Sequence, residues 1–254
     1  MASLTGRVAI VTGAARGIGQ EYCRAFAREG ARVVAADVLS CEETVARVQD
    51  LGGEVVEVTT DVTSAQSTEA MVAAALERFG RIDILVNNAA LYGGMWVGPF
   101  DQISEADWDR MMEVNVKGIW LCCKAVVPTM KEQGKGKIIN ISSSTIWAGD
   151  PFALHYVASK GAVFSLTRAL ARELAGTGIN VNAITPGHTM TEASKTILDP
   201  ETFERFRRQS VKRQIIKRNE EPEDVAGTVL FLASDASDFM SGQTLNIDGG
   251  RCHY

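Results

Sequence analysis

Short apolar runs alternate with stretches of helical periodicity along the whole chain, and this alternation restricts the fold more than any other feature. Strands are predicted over 7–11, 32–36, 55–59, 82–86, 137–141, 179–184 and 243–247. Between them, apolar residues recur at helical spacing over 17–28, 42–51, 64–79, within 104–133, through the stretch after Tyr156, and over 201–212 and 223–233. Gly52-Gly53 and Gly80 stand where two of these helices should stop, Ser64 where one should start, and Pro128 near the end of the longest. Strands separated by helices of ten or more residues imply a parallel sheet with helices on both faces. No linker-like shift in composition divides the chain, so 1–254 is expected to form one α/β domain.

Composition excludes several classes. The net charge is −5, with both signs interspersed and no basic block, so no nucleic-acid partner is expected. Five cysteines, two of them adjacent, show neither metal-ligand spacing nor a disulfide framework, which fits a reducing cytoplasm. Residues 1–7 do not read as a leader, and no apolar run approaches the length of a membrane span, so no membrane partner is expected.

The first predicted turn reads Thr12-Gly13-Ala14-Ala15-Arg16-Gly17-Ile18-Gly19. It follows a strand and opens a helix. In that context glycines admit a pyrophosphate close to the backbone, and the helix N-terminus favours its charge. Asp37 ends the second strand, eighteen residues past Gly19. A carboxylate there accepts hydrogen bonds from ribose hydroxyls and repels a 2′-phosphate, which favours NAD over NADP. Arg16 is the opposing signal, since a basic residue in the loop suits a 2′-phosphate.

Tyr156 and Lys160 are four apart on a predicted helix and therefore share a face. A phenol beside an ammonium has a use: the positive charge is expected to lower the phenol's pKa toward working pH, so that Tyr156 exchanges a proton with an alcohol or ketone oxygen.

Together these motifs resemble the short-chain dehydrogenase/reductase family over essentially the whole chain. Alongside the glycine run, the resemblance rests on Asp61-Val62 after the third strand and Asn87-Asn88-Ala89 after the fourth. It also rests on Asn115, Ser143, Tyr156, Lys160 and Pro186-Gly187 in that order. The family implies a doubly wound Rossmann fold of seven parallel strands and hydride transfer to or from nicotinamide. It implies that Asp61 and Val62 contact the adenine, and that Asn88 and Ala89 set backbone against the adenosine side. It further implies that Ser143 hydrogen-bonds the reacting oxygen and that Lys160 also holds the nicotinamide ribose. Asn115 would keep a water beside Lys160 and complete a proton relay. Gly187 would open the nicotinamide loop, with Thr189 and Thr191 at the carboxamide. Ser142 and Ser144 flank Ser143, so the register of the serine matters. Ala90 departs from the family's usual glycine and leaves the local turn shape open.

Substrate selectivity is expected in loops 91–100, 145–155 and 190–217, the last acting as a lid. They hold Tyr92, Trp96, Trp147, Phe152 and Met190, a bulky apolar set, of which Tyr92, Trp96 and Trp147 are expected at the substrate. His188 is read either as an exposed loop residue or as a substrate contact, and His155 as structural or at the pocket edge. No arginine stands out for recognising a carboxylate. The resemblance implies a homotetramer built from the helices carrying Asn115 and Tyr156, with Met111, Val114, Ile119, Trp120, Val163, Phe164 and Leu166 as candidate contacts. His253 and Tyr254 are candidates to reach a neighbour's pocket. The expected activity is an NAD-dependent interconversion of a secondary alcohol and a ketone, with a cyclic or aryl-substituted substrate suggested by the aromatic loops. The alternatives are reduction of a 3-oxoacyl thioester, a sugar or polyol dehydrogenase, and a binding protein that keeps the fold without catalysis.

Overall fold

The computed structural model describes residues 4–253. Among them, seven parallel strands form one sheet: β1 Val8–Thr12, β2 Arg32–Asp37, β3 Val55–Thr59, β4 Ile84–Asn87, β5 Gly136–Ile141, β6 Ile179–Pro186 and β7 Thr244–Ile247. Their spatial order is β3-β2-β1-β4-β5-β6-β7, with every neighbouring pair parallel. The order reverses between β1 and β4, the place where doubly wound sheets open a crevice beyond the strand C-termini.

Helices alternate with the strands: α1 Gly17–Arg28, α2 Glu42–Gln49, α3 Ala65–Phe79, α4 Glu105–Met112, α5 Gly118–Gln133, α6 Thr145–Ala148, α7 Leu154–Glu173, α8 Glu192–Lys195, α9 Pro200–Arg213 and α10 Pro222–Ala233. Side chains of a strand alternate between faces, so β1 feeds two cores. Ala9 and Val11 pack with Tyr22 and Phe26 of α1 and with Val225 and Val229 of α10. Val8 and Ile10 pack on the other face with Met71 of α3, Ile119 and Val126 of α5, and Val163 of α7. Burial on both faces explains why the strands read as near-continuous apolar runs. The caps expected from sequence are present: Ser64 accepts from the Ser67 N–H, and Gly80 ends α3 at φ 75°.

The single long helix expected within 104–133 is divided. A π turn at Glu113–Lys117 separates α4 from α5 and carries Asn115. Inserted π turns are a recurrent feature of functional sites. The segment expected as a lid holds α8 and α9, and α8 is closed by reciprocal hydrogen bonds between Thr191 and Ser194.

Candidate active site

The strand C-termini open into a cavity of about 750 Å³, within the range of small-molecule sites. At one end lies the β1–α1 turn. Gly13 has φ 67°, and a Cβ there would stand 2.8 Å from the Ala89 Cα; a Cβ on Gly19 would stand 2.1 Å from the Gly13 carbonyl oxygen. Side chains at either position would push the loop off β4. Asn88 pins the same loop by donating to the carbonyls of Thr12 and Gly13, 3.0 Å each, while the Thr12 hydroxyl accepts from the N–H groups of Asn88 and Ala89. Arg16 caps α1 without a side-chain hydrogen bond, so the first-turn amides at Gly17, Ile18 and Gly19 line the cavity uncapped.

Asp37 lines this end too. Its carboxylate accepts from the N–H of Ala15 at 2.9 Å and of Leu39 at 3.0 Å, which fixes its direction. Asp61 and Val62 lie alongside; the Asp61 carboxylate accepts from Thr63 N–H and hydroxyl. Ala90 is exposed and outside the left-handed region, since Phe152 is the one non-glycine residue with positive φ among the described residues. Alanine therefore fits the turn without strain.

At the other end Ser143, Tyr156 and Lys160 share the cavity wall. Ser142 and Ser144 are buried, and Ser142 spends its hydroxyl on the Lys160 carbonyl at 2.8 Å. Ser143 is the serine that hydrogen-bonds the Tyr156 phenol. The Lys160 ammonium donates to the Ile141 carbonyl at 2.8 Å and lies 5.7 Å from the Tyr156 ring centroid.

The electrostatics differ from expectation. Burial pushes the Tyr156 phenol up to about 12, with the Ser143 hydrogen bond opposing that rise and the Asp150 charge adding to it. Burial also pulls Lys160 down to about 8. Desolvation outweighs the expected help from a neighbouring ammonium, because Lys160 is itself dehydrated and turned to a backbone carbonyl.

Asn115 is fully buried behind the wall rather than on it. Its carboxamide oxygen accepts from the Leu91 N–H at 2.7 Å and its nitrogen donates to the Ser159 hydroxyl at 3.1 Å; Ser159 in turn donates to the Tyr156 carbonyl. Asn115 thus joins the loop after β4 to α7, and it makes no direct hydrogen bond with Lys160.

Pro186, Gly187, His188, Thr189 and Thr191 line the middle of the cavity, as does Tyr92, whose ring lies 5.3 Å from that of Tyr156. Trp96 and Trp147 do not line it. The Trp96 ring folds back over Gly98, where a Cβ would be 2.6 Å away, and Trp147 stands edge-on to Phe164 of α7 at 5.2 Å. Phe152 points to solvent, and Met190 borders a separate shallow depression beside Phe203. The apolar wall instead comes from Met95, Val97, Ile197, Leu198, Phe203 and Phe206.

Three polar residues were missed. Glu220 accepts from the Gly187 N–H and the Thr189 hydroxyl, and burial raises it to about 7. Arg251, in the segment thought to reach a neighbour, lines this chain's own cavity and is paired with Asp150. Tyr254 lies outside the described residues. The one available signal was the turn at Asp248-Gly249-Gly250, which brings the chain back against β7, where the Asn246 side chain donates to the Cys252 carbonyl.

The residues present fit a dinucleotide. Obligate glycines leave room for backbone approach, a fixed carboxylate stands near them, and Ser143, Tyr156 and Lys160 line the same continuous cavity. Comparison with known proteins agrees. A family model described as enoyl-(acyl carrier protein) reductase matches residues 13–251. An uncharacterized oxidoreductase of Mycobacterium tuberculosis is 42% identical over 247 residues, covering 96% of this chain and 97% of that protein. The solved structure of levodione reductase is similar with a TM-score of 0.90 and 34% identity, covering 97% of this chain and 98% of that one. A 3-ketoacyl-(acyl-carrier-protein) reductase from Brucella melitensis, complexed with NADH, is similar with a TM-score of 0.87 and 34% identity, covering 98% and 99%. The sequence motifs, the sheet order and these similarities together make the chain a member of the short-chain dehydrogenase/reductase family.

Proposed function

We propose that this oxidoreductase interconverts a secondary alcohol and a ketone with NAD, Tyr156 serving as general acid/base. The observation that carries the reading is the Ser143–Tyr156–Lys160 corner, set in the same cavity as the glycine turn. Bound nicotinamide supplies or accepts the hydride. In the reductive direction Tyr156 gives its phenolic proton to the ketone oxygen while Ser143 hydrogen-bonds that oxygen, a role worth roughly 10²–10⁴ in rate for a positioned acid. Gly13, Arg16, Gly17, Ile18, Gly19, Asp37, Asp61, Val62, Asn88 and Ala89 would hold the adenosine and pyrophosphate. Lys160, Pro186, Gly187, Thr189 and Thr191 would hold the nicotinamide half. Asn115 acts as a positioning residue for Leu91 and α7; the relay through a water remains a proposal alongside it.

Asp37 supports NAD, because its anchored carboxylate would repel a 2′-phosphate. Exposed Arg16 is the group that would oppose this preference. The assembly proposed is a homotetramer. Five free cysteines, four of them buried, support a reducing compartment, and no described helix is long and apolar enough to cross a membrane.

Reduction of a 3-oxoacyl thioester is the second reading. The Brucella enzyme of that name is complexed with NADH, so cofactor choice does not separate the two. Purified protein with NADH should be offered a panel of cyclic and aryl ketones together with an acetoacetyl thioester. Higher kcat/KM on the ketones supports the first reading; higher kcat/KM on the thioester replaces it with the second.

A further inference from the structure

The cavity wall also holds three polar side chains that proton exchange does not use: Asp150, His188 and Arg251. They come from separate places, the turn between α6 and α7, the segment after β6, and the chain after β7. Arg251 donates to the Asp150 carboxylate, and the two side chains are 8% and 23% exposed. His188 stands edge-on to Phe206 at 4.8 Å and lies 5.9 Å from Phe203. Its Nε2 is buried and has no hydrogen-bond partner.

A buried polar atom without a partner costs free energy, and turning the imidazole toward a ligand in the cavity would recover it. The cavity His188 borders has apolar walls: Tyr92, Met95, Val97, Ile197 and Leu198. The Arg251 charge is already matched by Asp150, so an anionic substrate would have to displace a partly buried carboxylate to use it. Burial and the Arg251 charge hold His188 well below its ordinary value, at about 4, so the imidazole is neutral at working pH and can donate or accept.

We propose that the His188 imidazole, which lines the cavity together with the Arg251–Asp150 pair, recognises a second, uncharged oxygen on the substrate, a hydroxyl or a carbonyl. The preferred substrate is then a neutral ketone or secondary alcohol that carries two oxygen functions. This rests on the alcohol/ketone reading above.

The test is kcat/KM with NADH for cyclohexanone, the ring isomers of hydroxycyclohexanone, and an oxocyclohexane carboxylate. The unmutated enzyme should prefer its best hydroxycyclohexanone over cyclohexanone by on the order of tenfold or more, the usual effect of satisfying a buried polar group. It should disfavour the carboxylate. His188→Phe keeps a ring between Phe203 and Phe206 but removes the nitrogen, and should bring the preference ratio to about one. His188→Gln keeps a polar group and should retain part of the preference. Equal ratios in the unmutated enzyme and His188→Phe, or a preference for the carboxylate, overturn the proposal. If the variants do not fold, a ratio of one in the unmutated enzyme overturns it alone. Absence of turnover on all these ketones contradicts the alcohol/ketone reading and this proposal with it; turnover without preference defeats the proposal only.

Discussion

At the residue scale, Tyr156 is governed by two opposed influences, and burial is the larger. A phenol whose pKa is raised above the free value of 10.0, to about 12, stays protonated through working pH. That suits proton donation to a ketone. It also means that alcohol oxidation by the same group should speed up with rising pH, as the phenolate fraction grows tenfold per unit below the pKa. An absorbance titration of the cofactor-free protein, taken as the difference from Tyr156→Phe, should show Tyr156 ionising above pH 10; ionisation below it would contradict the balance described here. Asp37 gives a second residue-scale expectation. NAD should be preferred over NADP by at least about tenfold, roughly 1.4 kcal/mol, and Asp37→Ala should narrow that gap. Equal use of both by the unmutated enzyme would shift the weight to Arg16. Gly13, Gly19, Asp37, Ser143, Tyr156 and Lys160 were legible because residue type and spacing already carry their chemistry. Asp150 and Arg251 were not: they are 101 positions apart, and only the return of the chain after β7 brings them together. Trp147 misled the reading because proximity to Ser143 in sequence says nothing about direction, and Phe164 offers it an aromatic partner on the far side.

At the element scale, the strands and most helix ends agree with the sequence pattern to within two residues or so, because apolar periodicity and glycine stops act locally. The π turn at Glu113–Lys117 was not legible, since a single added residue per turn hardly disturbs an apolar stripe. The hold on the segment after β6 was hidden as well. Glu220 reaches Gly187 and Thr189 from 33 and 31 positions away. Its carboxyl is raised from 4.5 to about 7, mainly by burial. The folded state therefore binds this proton more tightly than the unfolded chain does. The corresponding stability is fully present below about pH 4.5 and is lost as pH rises through 7. Glu220→Gln cannot titrate. The unfolding free energy of the unmutated protein relative to Glu220→Gln should fall between pH 5 and 7 and level off above about 8, at a slope of at most about 1.4 kcal/mol per unit. A constant difference across that range would remove Glu220 from this role. For α8 and α9, bound NAD and substrate should protect the 190–217 segment from proteolysis if it closes over the site; identical cleavage with and without them would return it to a fixed wall.

At the scale of the whole molecule, the sheet order puts the glycine turn and Asn88 on either side of the β1–β4 switch point, and the two cores hold both faces rigid around it. Residues that could join copies were not separable in the sequence from residues of this chain's own core. Met111, Ile119 and Val163, expected as contacts between copies, are buried in this chain's own core, whereas Trp120 is 53% exposed on α5. Amphipathic helices of a doubly wound fold already owe one face to the sheet, so an apolar stripe in sequence does not reveal what is left over. Light scattering at micromolar concentration should report about 110 kDa, four chains of 27.4 kDa; a stable monomer would defeat the tetramer proposal. In the proposed function the molecule holds nicotinamide against one proton-exchanging phenol, Tyr156. Rapid mixing of NADH and a reactive ketone with the unmutated protein and with Tyr156→Phe tests it most directly, with NADH binding followed by fluorescence in both. NADH binding should be comparable in the two, and NADH oxidation roughly 10²–10⁴-fold slower in the variant. Intact NADH binding with near-normal oxidation in Tyr156→Phe would contradict it.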